Sequence, residues 1–448
     1  MAVGFIRGGA IAVVLGACAL AHAQEDDRAS WRDRVSFGGT AEAEWGVETT
    51  TGDTQKFEVQ IQPEWNFNLT DNLDLTIIGR IRLDAIDDLE PGRPNQGEIA
   101  WLSRRVLVGD PLELELREFY LETTVGETYL TLGKQQIVWG QADGLKVLDV
   151  VNPQDFREFV LDDFEDSRIP LWSVNAEIPI KELTLQLLWI PDLTYHNIPE
   201  FNSTYAFVSN VPTAPPFIPF KFEEVDRPNN PLKDSDIGAR LSAFVGGWDL
   251  TLNYLYHYDD TPVVRRGFGL TEMGFGIVAQ PGYERTHLIG GTFSNAFGDL
   301  TLRGELGYSF NKFYSTENLL DADGVLETDE FAYVLGFDWF GFSETFLSLQ
   351  VFQNFLTEDD DGLLRDRVET NVSLNVQRDF LNDSLIAETL WVHNINHGDG
   401  FIRPKLSYEW TSDTKVWAGL DIFYGSGEGL FGQYDQRDRA LLGIEWSF

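Results

Sequence analysis

Along most of this chain the side chains alternate between apolar and polar, and they do so over unusually long runs. In the last run Ala440, Leu442, Ile444, Trp446 and Phe448 point one way and Leu441, Gly443, Glu445 and Ser447 the other. Residues 300–311 set Leu300, Leu302, Leu306, Tyr308 and Phe310 against Thr301, Arg303, Glu305, Ser309 and Asn311. Residues 34–47 set Val35, Phe37, Ala41, Ala43, Trp45 and Val47 against Ser36, Thr40, Glu42 and Glu44. A period of two is a β-strand, and a strand with one apolar and one polar face needs two different solvents. Strands of soluble sandwiches run to about 5–6 residues and bury the apolar face in a core. The runs here are about 10–14 residues, enough for a tilted strand to cross a bilayer. Aromatic residues recur toward the ends of the apolar faces, among them Trp45, Tyr254, Tyr256, Tyr258, Tyr408, Trp410 and Trp446. That is where a transmembrane barrel carries its interfacial girdles, and charged residues on the other face then line water.

Eighteen segments read this way: 34–48, 57–69, 73–84, 113–125, 128–139, 170–179, 183–190, 236–246, 249–258, 284–296, 299–311, 329–340, 345–356, 366–378, 385–394, 402–411, 414–424 and 438–448. Short turns such as Thr70-Asp71-Asn72, Gly126-Glu127 and Ser412-Asp413 alternate with longer connections. The fold expected is all-β, a single transmembrane antiparallel up-and-down β-barrel over 34–448, with about 18 strands (16–20), long external loops and both termini inside.

With 33 Lys+Arg against 72 Asp+Glu the formal charge is −39. No basic footprint for nucleic acid exists. With 43% hydrophobic and 13% aromatic residues, this is not a disordered acidic tail. Residues 1–23 read as a cleaved signal peptide, with Arg7, an apolar stretch from Gly8 to Leu20 and Ala21-His22-Ala23 before the cut. A rival reading makes Cys18, the one cysteine, a lipidated first residue. Residues 24–33 then form a short periplasmic segment. No later apolar run reaches 18 residues, so no transmembrane helix is expected.

The run Leu132-Gly133-Lys134-Gln135-Gln136-Ile137-Val138-Trp139-Gly140, with Asp143-Gly144 and Asp149-Val150-Val151-Asn152-Pro153-Gln154-Asp155 after it, resembles an uncharacterised family of porin-type outer-membrane barrels. The resemblance is carried by this KQxxxWGxxDG…DVVNPxD segment. It implies a Gram-negative outer-membrane location, with the terminal Phe448 as part of the signal read by the barrel assembly machinery. It implies no cargo. Some relatives are encoded near lipid exporters, which implies a possible periplasmic or inner-membrane transport system as partner.

Two loops stand out. In residues 140–169, Asn152 is placed to cap a helix that Pro153 opens, with Phe156, Phe159 and Val160 on one face. A short helix in the loop after the fifth strand is therefore expected. The apolar stripe needs cover, either by folding into the lumen as a constriction or by packing against neighbouring external loops. Candidate pore residues are Asp143, Lys146, Asp149, Asp155, Arg157 and Glu158 in the loop, with Arg80, Arg82 and Arg303 on the wall. Residues 191–235 hold eight of the 18 prolines together with Phe201, Tyr205, Phe207, Phe217, Phe220 and Phe222. Proline stiffens such a segment, and the aromatics are read as a plug, a partner surface or a site for an apolar solute.

Acidic clusters at Asp84 to Asp88, at Asp321 and Asp323, and at Glu358 to Asp361 face outward in this topology. They make a solvated rim or a weak divalent-cation site that bridges lipopolysaccharide phosphates; no other cofactor and no metal centre is expected. No catalytic motif is present. His393, His397 and Asp399 would converge on a metal only if helical, whereas they lie at a strand-to-loop junction. Three functions are carried forward: a porin-like channel for a small solute narrowed by 140–169, a component of a lipid or hydrophobic-compound transport system, and a structural barrel without transport.

Overall fold

The computed structural model describes residues 34–209, 218–318, 321–359 and 362–448. The signal-peptide reading, Cys18, Phe217, Asp360 and Asp361 lie outside them. The strands, in chain order, are β1 (Val35–Glu48), β2 (Thr54–Thr70), β3 (Leu73–Asp84), β4 (Val106–Val108), β5 (Leu112–Val125), β6 (Thr128–Gln135), β7 (Leu171–Ile180), β8 (Leu183–Ile190), β9 (Phe220–Phe222), β10 (Asp236–Val245) and β11 (Trp248–Tyr258). There follow β12 (Val263–Thr271), β13 (Gly274–Gly282), β14 (Arg285–Phe297), β15 (Leu300–Ser315), β16 (Val325–Phe342), β17 (Thr345–Leu356), β18 (Val368–Phe380), β19 (Leu385–Asn394), β20 (Asp399–Thr411), β21 (Thr414–Tyr424) and β22 (Arg439–Ser447).

All but β4, β9, β12 and β13 pair antiparallel with their neighbours in the wall. The wall closes when β1 pairs with β22, from Thr40↔Ser447 to Glu48↔Arg439. Closure leaves no sheet edge, so every wall strand has a hydrogen-bonding neighbour on both sides, as hydrocarbon demands. The eighteen wall strands match the eighteen alternating segments of the sequence. Outward parity is apolar: Leu252, Leu406, Leu442 and Trp446 are exposed on the outer surface. Inward parity is polar: Arg80, Arg82, Glu305, Gln350, Asp421 and Arg439 are buried. Short turns such as Gly126-Glu127 and Gly246-Gly247 join strands at one end, and the long connections gather at the other. The ring of Phe448 packs outward on Phe37, 5.6 Å between centroids.

Three local expectations change. The sixth strand of the chain stops at Gln135, short of Trp139. No helix starts at Pro153: the only helix of the loop is α1 (Phe164–Ser167). The cause is that the Asn152 side chain is used elsewhere, accepting from Ile137 N at 2.7 Å and donating to Ile169 O at 2.9 Å. The Pro153 carbonyl accepts from Ile169 N, and Gln154 bridges to Arg168, so this stretch is extended. Phe159 then takes φ +58°, and the chain doubles back instead of coiling. Finally, the connection between β11 and β14 is a hairpin of β12 and β13 joined by β9, not a plain loop.

Candidate channel constriction

Residues 136–170 run through the interior of the barrel. The proof is in their contacts, which reach wall strands all the way round. Trp139 is fully buried and its Nε1 donates to Gln186 on β8 at 2.9 Å. The backbone amides of Gln141 and Leu148 donate to the carboxylate of Glu305 on β15, the latter at 2.9 Å. Leu148 lies against Gly290 and Gly307: a Cβ on Gly290 would come within 2.5 Å of it, so the wall has to be bare there. At Gly144 (φ +82°) the segment reaches Val392 on β19. Arg117 on β5 donates to the carbonyls of Glu165 and Asp166 at 2.7 and 3.0 Å.

The nine residues singled out as pore candidates fall into separate groups. On the β15–β17 wall Arg303 pairs with Asp143 and, at 2.7 Å, with Asp338, while Gln350 donates to Asp143 at 2.8 Å. Within the loop, Asp149 takes Lys146 at 3.3 Å and Arg168 at 2.8 Å, and Lys146 lies 4.4 Å above the Phe164 ring. Arg80 stands apart with Glu115 at 2.5 Å, a carboxylate it shares with Lys134. Asp155 accepts from Asn197 at 2.8 Å, which fastens the 191–209 segment to the constriction.

Arg82, Arg157 and Glu158 belong to one continuous ion-pair lattice. Arg157 meets Glu58 at 2.6 Å, Asp84 at 2.8 Å and Glu90 at 3.4 Å. Glu158 takes Lys56 at 2.6 Å and Arg439 at 2.7 Å. Arg82 reaches Glu58 and Glu113, and Arg105 joins Glu113 to Glu90 at 2.9–3.0 Å. The chain of pairs continues from Arg439 to Asp421 and from there to Arg403. Asp84, expected on a solvated rim, is thus drawn into the lumen. Burial works against ionising Glu90, but Arg105 and Arg157 outweigh it and hold the carboxyl at about 2. Asp162, in contrast, is pushed up to about 8 by burial and by the charge of Glu158.

Sequence reasoning did not single out Lys56, Glu58, Glu90, Arg105 or Arg439. Their parity was a signal for the strand residues: Arg439 shares the inward face of Leu441, Gly443 and Glu445. Its partner Glu158 lies 281 positions away, which no local pattern reveals.

The aromatic segment divides in two. Tyr205 is fully buried, its hydroxyl donating to Gln55 at 3.0 Å, and Phe207 stacks edge-on with Phe156 and Phe159. Together with Phe401, Phe423, Phe431 and Tyr434 they fill one side of the lumen. Phe201, Phe220 and Phe222 are exposed, the last two on β9. The segment is tied down at His196, whose Nδ1 accepts from Gln154 N at 2.8 Å. Burial depresses His196 to about 4, which keeps that nitrogen free to accept. His393, His397 and Asp399 do not converge: they go to Tyr424, Asp366 and the amides of Phe431 and Gly432.

Beside the constriction, on the β1 and β19–β22 side, polar space remains. One cavity of about 140 Å³ is lined by Glu42, Glu44, Asp162, Asp166, Lys415 and Glu445 among others. A second of about 200 Å³ adjoins it at Asp163, Arg403 and Lys405.

A closed eighteen-strand antiparallel barrel with a polar interior, an apolar outer belt and a long segment laid across the lumen has the fold of outer-membrane porins. Solved structures agree: the barrel superposes on Pseudomonas aeruginosa OpdK with vanillate (TM-score 0.52, 10% identity, 93% of this chain and 99% of that one). It also superposes on Acinetobacter baumannii OccAB2 (0.52, 12%, 94% and 99%) and on Pseudomonas aeruginosa OccK2 (OpdF) with glucuronate (0.50, 12%, 93% and 98%). A search of curated proteins finds no significant match. The chain belongs to the family described as protein of unknown function (DUF1302), whose model matches residues 109–448.

Proposed function

We propose that the protein is an outer-membrane channel for a small polar solute, in which residues 136–170 narrow the lumen and the passage runs along the β1 and β19–β22 wall. The observation that carries this reading is that the segment is anchored from both sides of the barrel, by Arg157 and Glu158 to β2, β3 and β22 and by Asp143 to Arg303 on β15. A loop that merely capped the mouth would have no reason to set charges against opposite walls. The polar cavities beside it supply a charged, solvated path, and charges beside water escape most of the desolvation cost they would bear in a dry core. The smaller cavity is lined by Glu42, Glu44, Glu158, Asp162, Asp163, Asp166 and Glu445 against Lys56, Arg403, Lys405, Lys415 and Arg439, and with Asp162 protonated at neutral pH that leaves at most six ionised acids to five bases. That balance favours cations over carboxylates such as the vanillate and glucuronate named with two of the similar barrels. The test is conductance in planar bilayers, with the intact chain and with residues 145–165 deleted. The reading predicts small channels that widen on deletion; absence of current from both ends it. The alternative, transport of an apolar compound, gains support not from the aromatic segment, whose Tyr205 and Phe207 are consumed in packing, but from the barrel wall.

A further inference from the structure

The ladder between β20 and β21 is broken in mid-strand. Ile402 pairs with Ile422 and Lys405 with Gly419, but Arg403 and Pro404 have no ladder partner between them. Pro404 has no N–H to give, and proline inside a wall strand is otherwise kept to edges and bulges. The neighbouring Gly419 contributes no side chain to the inner face, and a Cβ there would sit 3.2 Å from the Pro404 carbonyl.

Cavities lie on both sides of this same patch. On the luminal side is the polar cavity of about 200 Å³. On the outer side is an apolar groove of about 630 Å³, lined by Trp45, Ala387, Leu406, Ala418, Ala440 and Leu442. Glu388, Pro404, Lys405, Gly419, Leu420 and Leu441 border both. Elsewhere the wall is also interrupted: between β2 and β3, where the ring of Pro63 lies over Gly79, 3.6 Å from where a Cβ would be, and between β11 and β14, where Gly291 is pressed against the Thr251 carbonyl and Thr251 and Thr292 bond across at 2.9 Å. At Pro404 what bridges the gap is ionic and luminal: Arg403 to Asp421 at 2.8 Å and Asp421 to Arg439 at 2.7 Å. Arg439 is the residue that also holds Glu158 of the constriction.

We propose that the β20–β21 wall at Pro404 is a lateral portal joining the lumen to the membrane, through which an amphipathic solute with a single apolar chain passes. The outer groove takes the apolar chain, since Trp45, Ala387, Leu406, Ala418, Ala440 and Leu442 in its lining have lipid-facing parity. The polar head stays with Arg403, Lys405 and Glu388 on the luminal side. The wall between is thin because one strand cannot donate and the other carries glycine, and the Arg403–Asp421–Arg439 pairs are the latch. The proposal goes beyond the channel reading, since it adds an exit sideways out of the lumen rather than along it.

The test uses two variants reconstituted in liposomes, each checked for a folded barrel by heat-modifiable migration on gels. Cysteine occurs naturally only at position 18. Leu406→Cys with Ala418→Cys therefore adds one facing pair, in ladder register and lining the groove. Facing positions of antiparallel strands lie about 4.5–5.5 Å apart at Cα, within disulfide reach. Pro404→Val restores the missing donor without a crosslink. The probe is a diazirine-bearing palmitate dissolved in the bilayer, and mass spectrometry scores photolabelling of the inward-facing Lys405 and Trp417. The portal predicts labelling of both in the native chain, a drop of at least fivefold on oxidising the cysteine pair, recovery on reduction, and a smaller drop in Pro404→Val. Equal labelling in oxidised and reduced protein, or none in the native chain, overturns it. Potassium flux measured in the same liposomes reads the channel separately: its absence in every variant ends the channel reading and leaves the labelling to decide the portal.

Discussion

Glu158 ties the segment that crosses the lumen to two wall strands at once. It is buried against two cations, Lys56 and Arg439, which enter the lumen from β2 and β22. Removing one partner of a buried ion pair leaves the others uncompensated, a loss of about 3–5 kcal/mol, whereas shortening a rim charge costs little. Glu158→Ala is therefore expected to lower the barrel's unfolding free energy, measured by urea denaturation, by that order and to raise single-channel conductance. A variant with unchanged conductance would mean that the loop is held by the apolar contacts of Trp139 and Leu148 instead. His196 sets a second expectation. Its folded value, about 4, lies below the ordinary 6.5, so the neutral ring stabilises the fold fully above about 6.5 and that support is lost as pH falls toward 4. Asp259 pulls the other way and Lys312 and Lys146 the same way as burial, without reversing it. Amide exchange at Gln154 and Phe156, corrected for intrinsic rates, should quicken between pH 7 and 4.5, and His196→Gln should remove the dependence. The Glu90 anchor, held at about 2, should persist through that range.

At the scale of the element, the crossing segment is a long stretch with hardly any regular structure, and it keeps one shape because its two stems are laced together. Asn152 does the lacing, with bonds to Ile137 on one stem and Ile169 on the other. Asn152→Ala strands both partners in a buried site, where each lost bond costs about 1–3 kcal/mol. The expected result is a segment newly open to protease between residues 136 and 170 while the barrel stays intact on gels; protection equal to the native chain would remove Asn152 from this role. The same residue shows why a helix was expected and did not form. An asparagine before a proline suits a helix start, but a cap needs its side-chain oxygen for its own backbone. Here that oxygen is engaged by Ile137, fifteen positions back.

For the whole molecule, the charge lattice and the polar cavities make a prediction about selectivity. With Asp162 protonated below its value of about 8, the cavity has six ionised acids at most against five bases. Reversal potentials in a salt gradient should show a weak cation preference near pH 7 that strengthens as pH passes about 8. Asp162→Asn should flatten that rise; a preference for anions at pH 7 would contradict the lining. The barrel itself was largely legible in the sequence, because a strand that faces lipid on one side and water on the other prints its geometry at every second residue. Strand number, turn positions and the inward parity of Arg80, Arg82 and Arg303 all come from that local rule. The place of the interruption was legible only to within a few residues, since the period reads on to Trp139 whereas β6 ends at Gln135. What the rule does not carry is register between distant parts. Only the closed barrel brings Glu158 to Arg439, Asp143 to Arg303 and Tyr205 to Phe423, and only it sets Pro404 between a polar cavity and an apolar groove. Periodicity is a property of neighbours in the chain and was written there; the constriction and the thin wall are made by residues that meet across the lumen, and their meeting is decided by how the sheet closes.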